Sequence, residues 1–97
     1  MNLESKKIAS IKAYFETQPV LKAYLFGSYA KGTADFESDI DILVDLDHNQ
    51  KIGLRFVKMK IELENLLNSR VDLVSSSAIS KYIKPLVDME KKLIYAK

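Results

Sequence analysis

The sequence contains no cysteine and no long hydrophobic run, and these two absences exclude several classes of protein. Without cysteine there is no disulfide framework and no thiolate metal site, which agrees with a reducing compartment. No apolar stretch approaches the roughly 20 residues of a membrane-spanning helix. The first residues do not resemble a signal peptide. We therefore expect a cytoplasmic protein that does not associate with a membrane.

The chain is short and carries little net charge. Its 97 residues provide for one domain, and 47% hydrophobic residues are ample for a packed core. A formal net charge of +2 is too small to indicate nucleic-acid binding by itself. We expect a single domain over residues 1–97 with no direct nucleic-acid partner.

Acidic residues are concentrated in the middle of the chain, whereas lysines dominate both ends. His48 is the only candidate cation close to the acids in the sequence. The distribution suits a cation site, although a solvated polar loop would explain some of the acids equally well. The acids are Asp35, Glu37, Asp39, Asp41, Asp45 and Asp47.

Hydrophobic periodicity and turn residues predict alternating helices and strands. The expected helices cover residues 3–17 with Asn2 as N-cap, 28–31 with Ser28 as cap, 51–68, one or two turns within 78–83, and a short helix beginning near Pro85. The expected strands cover residues 21–26, 39–46, 70–74 and, at an edge of the sheet, 93–96.

Alternation within these elements predicts which side chains face the core. In the first strand the apolar face consists of Leu21, Ala23 and Leu25. In the second it consists of Ile40, Ile42, Val44 and Leu46. The long helix carries an apolar stripe of Ile52, Phe56, Met59, Leu63, Leu66 and Leu67.

A glycine-serine pair follows the first strand and opens the short helix. Gly27 has no Cβ and would let the backbone approach a phosphate closely. The N–H groups of the following turn and the Ser28 hydroxyl could then bind phosphate oxygens, with Lys31 as a candidate for neutralising their charge. A glycine-serine pair by itself is more often only a capped turn.

Three aspartates are predicted to share one face of two neighbouring strands. Asp39 and Asp41 point to the same side of a strand about 7 Å apart, and carboxylates that close repel each other unless a cation lies between them. Mg²⁺ combines carboxylates with phosphate oxygens. With Asp72 from the third strand, the three acids could hold two metal ions about 4 Å apart. Taken singly, each acid could be a solvated strand end, and Asp72 could pair with Arg70.

The run GSYAKGTADFESDIDILV, in which ten residues separate Ser28 from Asp39, resembles the signature of the nucleotidyltransferase superfamily that includes DNA polymerase β. It is most similar to the smallest branch, the minimal nucleotidyltransferase (MNT) domains. The resemblance covers almost the whole chain and includes the acid of Val71-Asp72-Leu73-Val74. One departure is Lys31, where the family usually has arginine, because lysine keeps the charge but loses the bidentate fork.

This resemblance implies an α/β fold, a small mixed β-sheet with helices on one face and the active-site cleft on the other. It implies that Gly27 and Ser28 hold the β- and γ-phosphates of ATP. Asp39 and Asp41 would bind both of two Mg²⁺ ions. Asp72 would bind the catalytic ion and help to deprotonate the attacking hydroxyl.

The resemblance also implies a partner, because many MNT domains are antitoxins of a HEPN-family toxin and transfer AMP from ATP to its tyrosine hydroxyls. Two alternatives stay open: a non-catalytic antitoxin that neutralises its toxin by binding, and a sensor that binds ATP without transferring AMP. A homo- or hetero-oligomer is compatible with each. Apolar residues near the C-terminus suggest a binding surface but could instead complete the core: Ile83, Leu86, Val87, Leu93, Ile94 and Tyr95.

Three further features receive weaker expectations. Tyr29 could stack on a nucleotide base, but packing against Phe36 or the second strand is the commoner outcome. His48 is expected to be exposed in the turn over residues 47–49. The serines at 75–77 are expected to enter a helix, although a hydroxyl near a ribose is an alternative.

Overall fold

The chain folds around a four-stranded mixed sheet in the order β3-β2-β1-β4, in which β2 and β3 are parallel and the other neighbours antiparallel. The structure is a computed structural model and describes residues 3–35 and 37–97. The strands are β1 (Val20–Phe26), β2 (Ile40–Leu46), β3 (Val71–Ser75) and β4 (Lys92–Ala96). The helices are α1 (Ser5–Phe15), α2 (Ser28–Lys31), α3 (Arg55–Leu67) and α4 (Lys84–Glu90), with one 3₁₀ turn at Ser76–Ala78.

Most of the predicted elements are confirmed, including β4 as an edge strand beside β1. Gly32 ends α2 with a φ of 77°, a left-handed conformation that glycine adopts without strain. Pro85 lies in the first turn of α4, where its missing N–H group costs nothing. The predicted N-cap Asn2 lies outside the described residues, and α1 begins after Glu4.

Helices α1 and α3 pack on one face of the sheet and form the main core there. Ile11 and Phe15 from α1, and Met59 and Leu63 from α3, are completely buried. The Tyr14 hydroxyl donates a 2.9 Å hydrogen bond to Glu62 Oε1, which links the two helices. The sheet contributes the predicted face of β2 and adjoining residues: Val20, Ala23, Leu25, Ile40, Ile42, Val44, Leu46, Val71 and Leu73.

Two predicted core residues are exposed. The pairing of β1 with β2 shifts register between Val20 and Lys22, so Val20 enters the core and Leu21 is 43% exposed. Leu66 is 48% exposed, because Leu63 and Leu67, four residues apart, point into the core and Leu66 is rotated by about 100° from Leu67. Both expectations were therefore wrong.

The opposite face of the sheet carries the 3₁₀ turn and α4, which wall off part of it. Leu43 is 2% exposed on this face, and Val87 of α4 is buried against the same side. Lys91 follows α4 and lies 4.4 Å from the ring centroid of Tyr24. The predicted mixed sheet is thus confirmed, and one side of the cleft face is bounded by a helix.

The apolar residues near the C-terminus divide between core and surface. Val87, Ile94 and Tyr95 are buried, whereas the exposed ones are Ile83, Leu86 and Leu93. The core hypothesis therefore accounts for half of this group.

In the described parts of the chain, no helix has the length and apolar character needed to cross a bilayer.

Candidate active site

A row of three side chains crosses the sheet on the face opposite α1 and α3. The strand register pairs Phe26 of β1 with Asp41 of β2, and Asp41 with Asp72 of β3. Neighbouring strands lie about 4.8 Å apart, and paired residues of adjacent strands point to the same face. Asp41 and Asp72 therefore lie side by side, as the sequence predicts.

Gly27 brings the turn before α2 directly against Asp41. Its φ of 69° and ψ of −150° belong to a region that only glycine occupies readily. A Cβ at this position would overlap Asp41 Oδ2 and lie 3.1 Å from Asp41 Cγ. Glycine is thus required both for the backbone turn and for the close approach of the carboxylate.

Ser28 does not have the capping role predicted for it. The N-cap of α2 is Gly27, and no side chain caps the helix. The reason is that the unusual backbone of Gly27 turns the chain into the helix one residue earlier. Ser28 is instead the first helical residue, partly buried beside the Gly27–Asp41 contact. Its predicted contact with phosphate stays a prediction.

Asp41 has an altered acidity. Partial burial, followed by the charges of Asp72 and Asp39, raises the pKa of the Asp41 carboxyl to about 6. The like charges that the sequence predicted are therefore close enough to act on one another. Such a carboxylate cluster is stabilised by a cation and destabilised without one.

Asp39 is held by a different partner. It precedes β2 and forms an ion pair with Arg70, with 3.2 Å between Asp39 Oδ1 and Arg70 Nε. The backbone aligns the two residues, because the Ile40 N–H donates to the Arg70 carbonyl oxygen at 2.9 Å. The predicted alternative pairing of Arg70 with Asp72 is wrong: Arg70 meets the acid at the start of the neighbouring strand.

Within residues 3–35 and 37–97, no three acidic, histidine or cysteine side chains converge in the arrangement that holds a metal ion. Asp41 and Asp72 nevertheless fit a hard divalent cation, since they are adjacent carboxylates whose mutual repulsion a cation would relieve. Asp39 would join them by leaving Arg70. The exposed Asp39–Arg70 pair stabilises the chain by at most about 1 kcal/mol, so this rearrangement costs little.

Lys31 lies at the end of α2 and points to α4. Its Nζ is 3.1 Å from Glu90 Oε1, so the ion pair connects the glycine-serine turn to the helix that walls the cleft. The arrangement brings together Gly27, Asp41 and Asp72, with Ser28 and Asp39 next to them. It does not direct Lys31 to the carboxylates, and its proposed contact with phosphate stays a prediction.

Sequence reasoning missed a cleft beside Asp72. It encloses about 270 Å³ between Phe26, Asp72 and Val74 on the sheet and the segment that runs from the 3₁₀ turn to Val87. The shared face of Phe26 and Val74 was visible from strand alternation. The position of α4 over that face was not, because it depends on contacts that are distant in sequence.

The remaining expectations have mixed outcomes. Tyr29 is partly buried and packs against the core cluster, whereas its other predicted partner, Phe36, lies outside the described residues. His48 is exposed in a turn, as predicted. Ser75 ends β3 and the following residues form the 3₁₀ turn, in which no side chain caps the backbone.

Comparisons with known proteins show the family of the chain. The model of the polymerase beta nucleotidyltransferase family matches residues 9–97. MntA of Thermococcus cleftensis, a protein adenylyltransferase, is 39% identical over 85 residues, which cover 88% of this chain and 85% of MntA.

Solved structures show the same fold. One is a crystal structure of a toxin-antitoxin with AMP-PNP, with 27% identity and a TM-score of 0.79 over 93% of this chain and 73% of the other. Another, described as a minimal nucleotidyltransferase, has 29% identity and a TM-score of 0.78 over 95% of each chain. The chain therefore belongs to the polymerase beta nucleotidyltransferase family.

Proposed function

We propose that this chain is an Mg²⁺-dependent protein adenylyltransferase that transfers AMP from ATP to tyrosine hydroxyls of a HEPN-family toxin and thereby acts as its antitoxin. The observation that carries the proposal is the contact of Gly27 with Asp41 and the pairing of Asp41 with Asp72. A phosphate-binding turn and two adjacent carboxylates are the parts that a metal-bound nucleoside triphosphate requires.

Each residue has a role in this proposal. Gly27 and Ser28 bind the β- and γ-phosphates through the turn. Asp41 and Asp72 hold Mg²⁺ together with Asp39, and bound Mg²⁺ neutralises charge on the phosphates. The proposed ligands can meet the ion without rebuilding the backbone, because Asp41 and Asp72 are already paired across the sheet.

The reaction is an in-line displacement at the α-phosphorus of ATP. The acceptor oxygen forms a bond to this phosphorus, and the bond to the bridging oxygen breaks so that pyrophosphate leaves with the electron pair. Asp72 accepts the acceptor's proton directly or through water. Positioning supplies much of the acceleration, since a rigid sheet fixes the carboxylates relative to the phosphate turn.

A protein partner is supported by the surface and by the relatives. Leu86 and Met89 of α4 are 61% and 85% exposed, and Ile83 precedes them on the surface. Exposed apolar groups of this kind commonly mark a site of association. The 39% identical relative is a protein adenylyltransferase, and a 27% identical solved structure is a toxin-antitoxin complex.

The test is transfer to the partner. The chain is mixed with a HEPN-family toxin, Mg²⁺ and ATP labelled on the α-phosphate. We expect label on tyrosines of the partner and a loss of at least a hundredfold in rate for Asp41→Asn, because the ligand charge is lost. Undiminished transfer by Asp41→Asn, or none by the unaltered chain, would defeat the proposal.

The exposed apolar residues of α4 also support one alternative, in which the chain neutralises the toxin by binding alone. A variant with Asn at positions 39, 41 and 72 separates the two. Under our proposal it still binds the toxin but no longer protects cells. If cells remain protected, binding is the activity and transfer is not.

A further inference from the structure

The cleft beside Asp72 has one charged group and mostly apolar walls. Its floor is Phe26 and Val74 of the sheet, and its far wall includes Ile79, Ile83 and the buried Val87. Among the described residues that line it, Asp72 is the only ionisable one and Ser80 the only other one with a polar side chain. Its size, about 270 Å³, suits one ring system and not a whole nucleotide.

The geometry points to this cleft as the site that takes the phenol ring of the acceptor tyrosine, an inference that rests on the proposed function and specifies where its second substrate binds. A phenol has an apolar ring and a single hydroxyl. Aliphatic walls match the ring, and the Asp72 carboxylate can accept the hydroxyl hydrogen bond. Adenine carries several donors and acceptors along its edge, which these walls would leave unpaired.

The location also agrees with the direction of the reaction. Asp72 is paired with Asp41, which contacts the glycine-serine turn at Gly27. A ring in the cleft therefore holds its oxygen beside the carboxylates. The phenol proton passes to Asp72, the oxygen bonds to the α-phosphorus of ATP, and the electron pair of the broken bond leaves with pyrophosphate.

The rim of the cleft suits a tyrosine that is part of a protein. Ile83 lines the cleft and is nevertheless 54% exposed, and its neighbour Tyr82 is 81% exposed. Leu86, three residues later in the first turn of α4, continues the apolar surface. Apolar side chains around an opening can be covered by the surface from which an acceptor tyrosine projects.

Binding of a small phenol tests the inference without the toxin. The full chain, labelled with ¹⁵N, is saturated with Mg²⁺ and α,β-methylene ATP, which cannot release pyrophosphate, and titrated with N-acetyl-L-tyrosinamide. We expect amide shifts around Val74, Ile79 and Val87, and weaker binding of N-acetyl-L-phenylalaninamide, which lacks the hydroxyl. Shifts centred elsewhere, or shifts at these amides produced by adenosine instead, would overturn the assignment.

A matched pair of variants locates the contact. Ile83→Ala removes a lining side chain just before α4, and Ile61→Ala removes a similarly exposed isoleucine from α3, which does not line the cleft. We expect Ile83→Ala to weaken tyrosinamide binding roughly tenfold and to leave calorimetric binding of α,β-methylene ATP unchanged. Ile61→Ala should change neither.

The outcomes separate the two proposals. If Ile83→Ala weakens nucleotide binding instead, the cleft takes the base and the inference is wrong. If both variants bind tyrosinamide as the unaltered chain does, the cleft is not its site. If the unaltered chain shows no Mg²⁺-dependent nucleotide binding, the proposed function fails, whichever way tyrosinamide binds.

Discussion

At the scale of single residues, the site depends on one glycine that has two constraints. Gly27 has a backbone conformation that other residues avoid. The Asp41 carboxylate occupies the position that a Cβ would take. Gly53 provides a comparison, since it also has a positive φ, of 44°, but nothing lies within 4 Å of a Cβ placed there. A comparison of substitutions at the two glycines therefore separates the effect of backbone strain from the effect of contact with the site.

We predict that Gly27→Ala lowers the free energy of unfolding by about 2 kcal/mol, and that it also displaces the Asp41 carboxylate. Gly53→Ala should lower it by only about 1 kcal/mol. Denaturant unfolding measures the first effect, and calorimetry with Mg²⁺ and ATP measures the second. Nucleotide binding should fall at least tenfold in Gly27→Ala and stay unchanged in Gly53→Ala; equal binding by both variants would contradict the role of the contact.

The raised pKa of Asp41 gives a prediction with a definite sign. Its pKa is about 6 in the folded chain and 3.8 when unperturbed. Between these values the folded state retains a proton that the unfolded chain has released. The free energy of unfolding should therefore decrease as the pH rises from about 4 to about 6, and remain at the lower value above that.

Asp41→Asn is the control for this pH dependence. Because Asp41 is partly exposed, we expect its contribution to be about 1 kcal/mol. The variant should be more stable than the unaltered chain at pH 7 in the absence of metal and should lose the decrease between pH 4 and 6. If urea midpoints of the two proteins run parallel across this range, the carboxylates are not coupled as described.

At the scale of elements, the sequence predicts what is decided locally. Alternation with a period of two puts Asp41 and Asp72 on one face once their strands are recognised, and this was correct. The prediction that Leu21 faces the core was wrong because a bulge opposite β2 changes the alternation. A bulge depends on pairing with another strand. The ion pairs of Asp39 with Arg70 and of Lys31 with Glu90 were likewise not predicted, since each joins residues far apart in the chain.

The orientation of α3 can be tested by two leucines on its surface. Leu63 is completely buried, whereas Leu66 is 48% exposed. We predict that Leu63→Ala lowers the free energy of unfolding by about 3 kcal/mol, because it leaves a cavity. Leu66→Ala should change it by no more than about 0.5 kcal/mol. Similar losses in the two variants, measured by urea denaturation, would mean that α3 is rotated from the position described.

At the scale of the whole molecule, the fold divides stability from function between the two faces of one sheet. Helices α1 and α3 cover one face, and the main core lies between them and the sheet. The other face carries Asp41 and Asp72, with the glycine turn on one side and α4 over the adjoining cleft. The sheet thus holds carboxylates that repel one another, and a bound cation would relieve the repulsion.

The central claim is that Asp41 and Asp72 form a divalent-metal site beside Gly27, and paramagnetic broadening tests it most directly. Mn²⁺, which accepts the same oxygen ligands as Mg²⁺, is added in small amounts to the ¹⁵N-labelled chain. The amides of Gly27, Asp41 and Asp72 should broaden first, and Asp72→Asn should abolish the effect. Broadening centred on other amides, or unchanged in Asp72→Asn, would contradict the site.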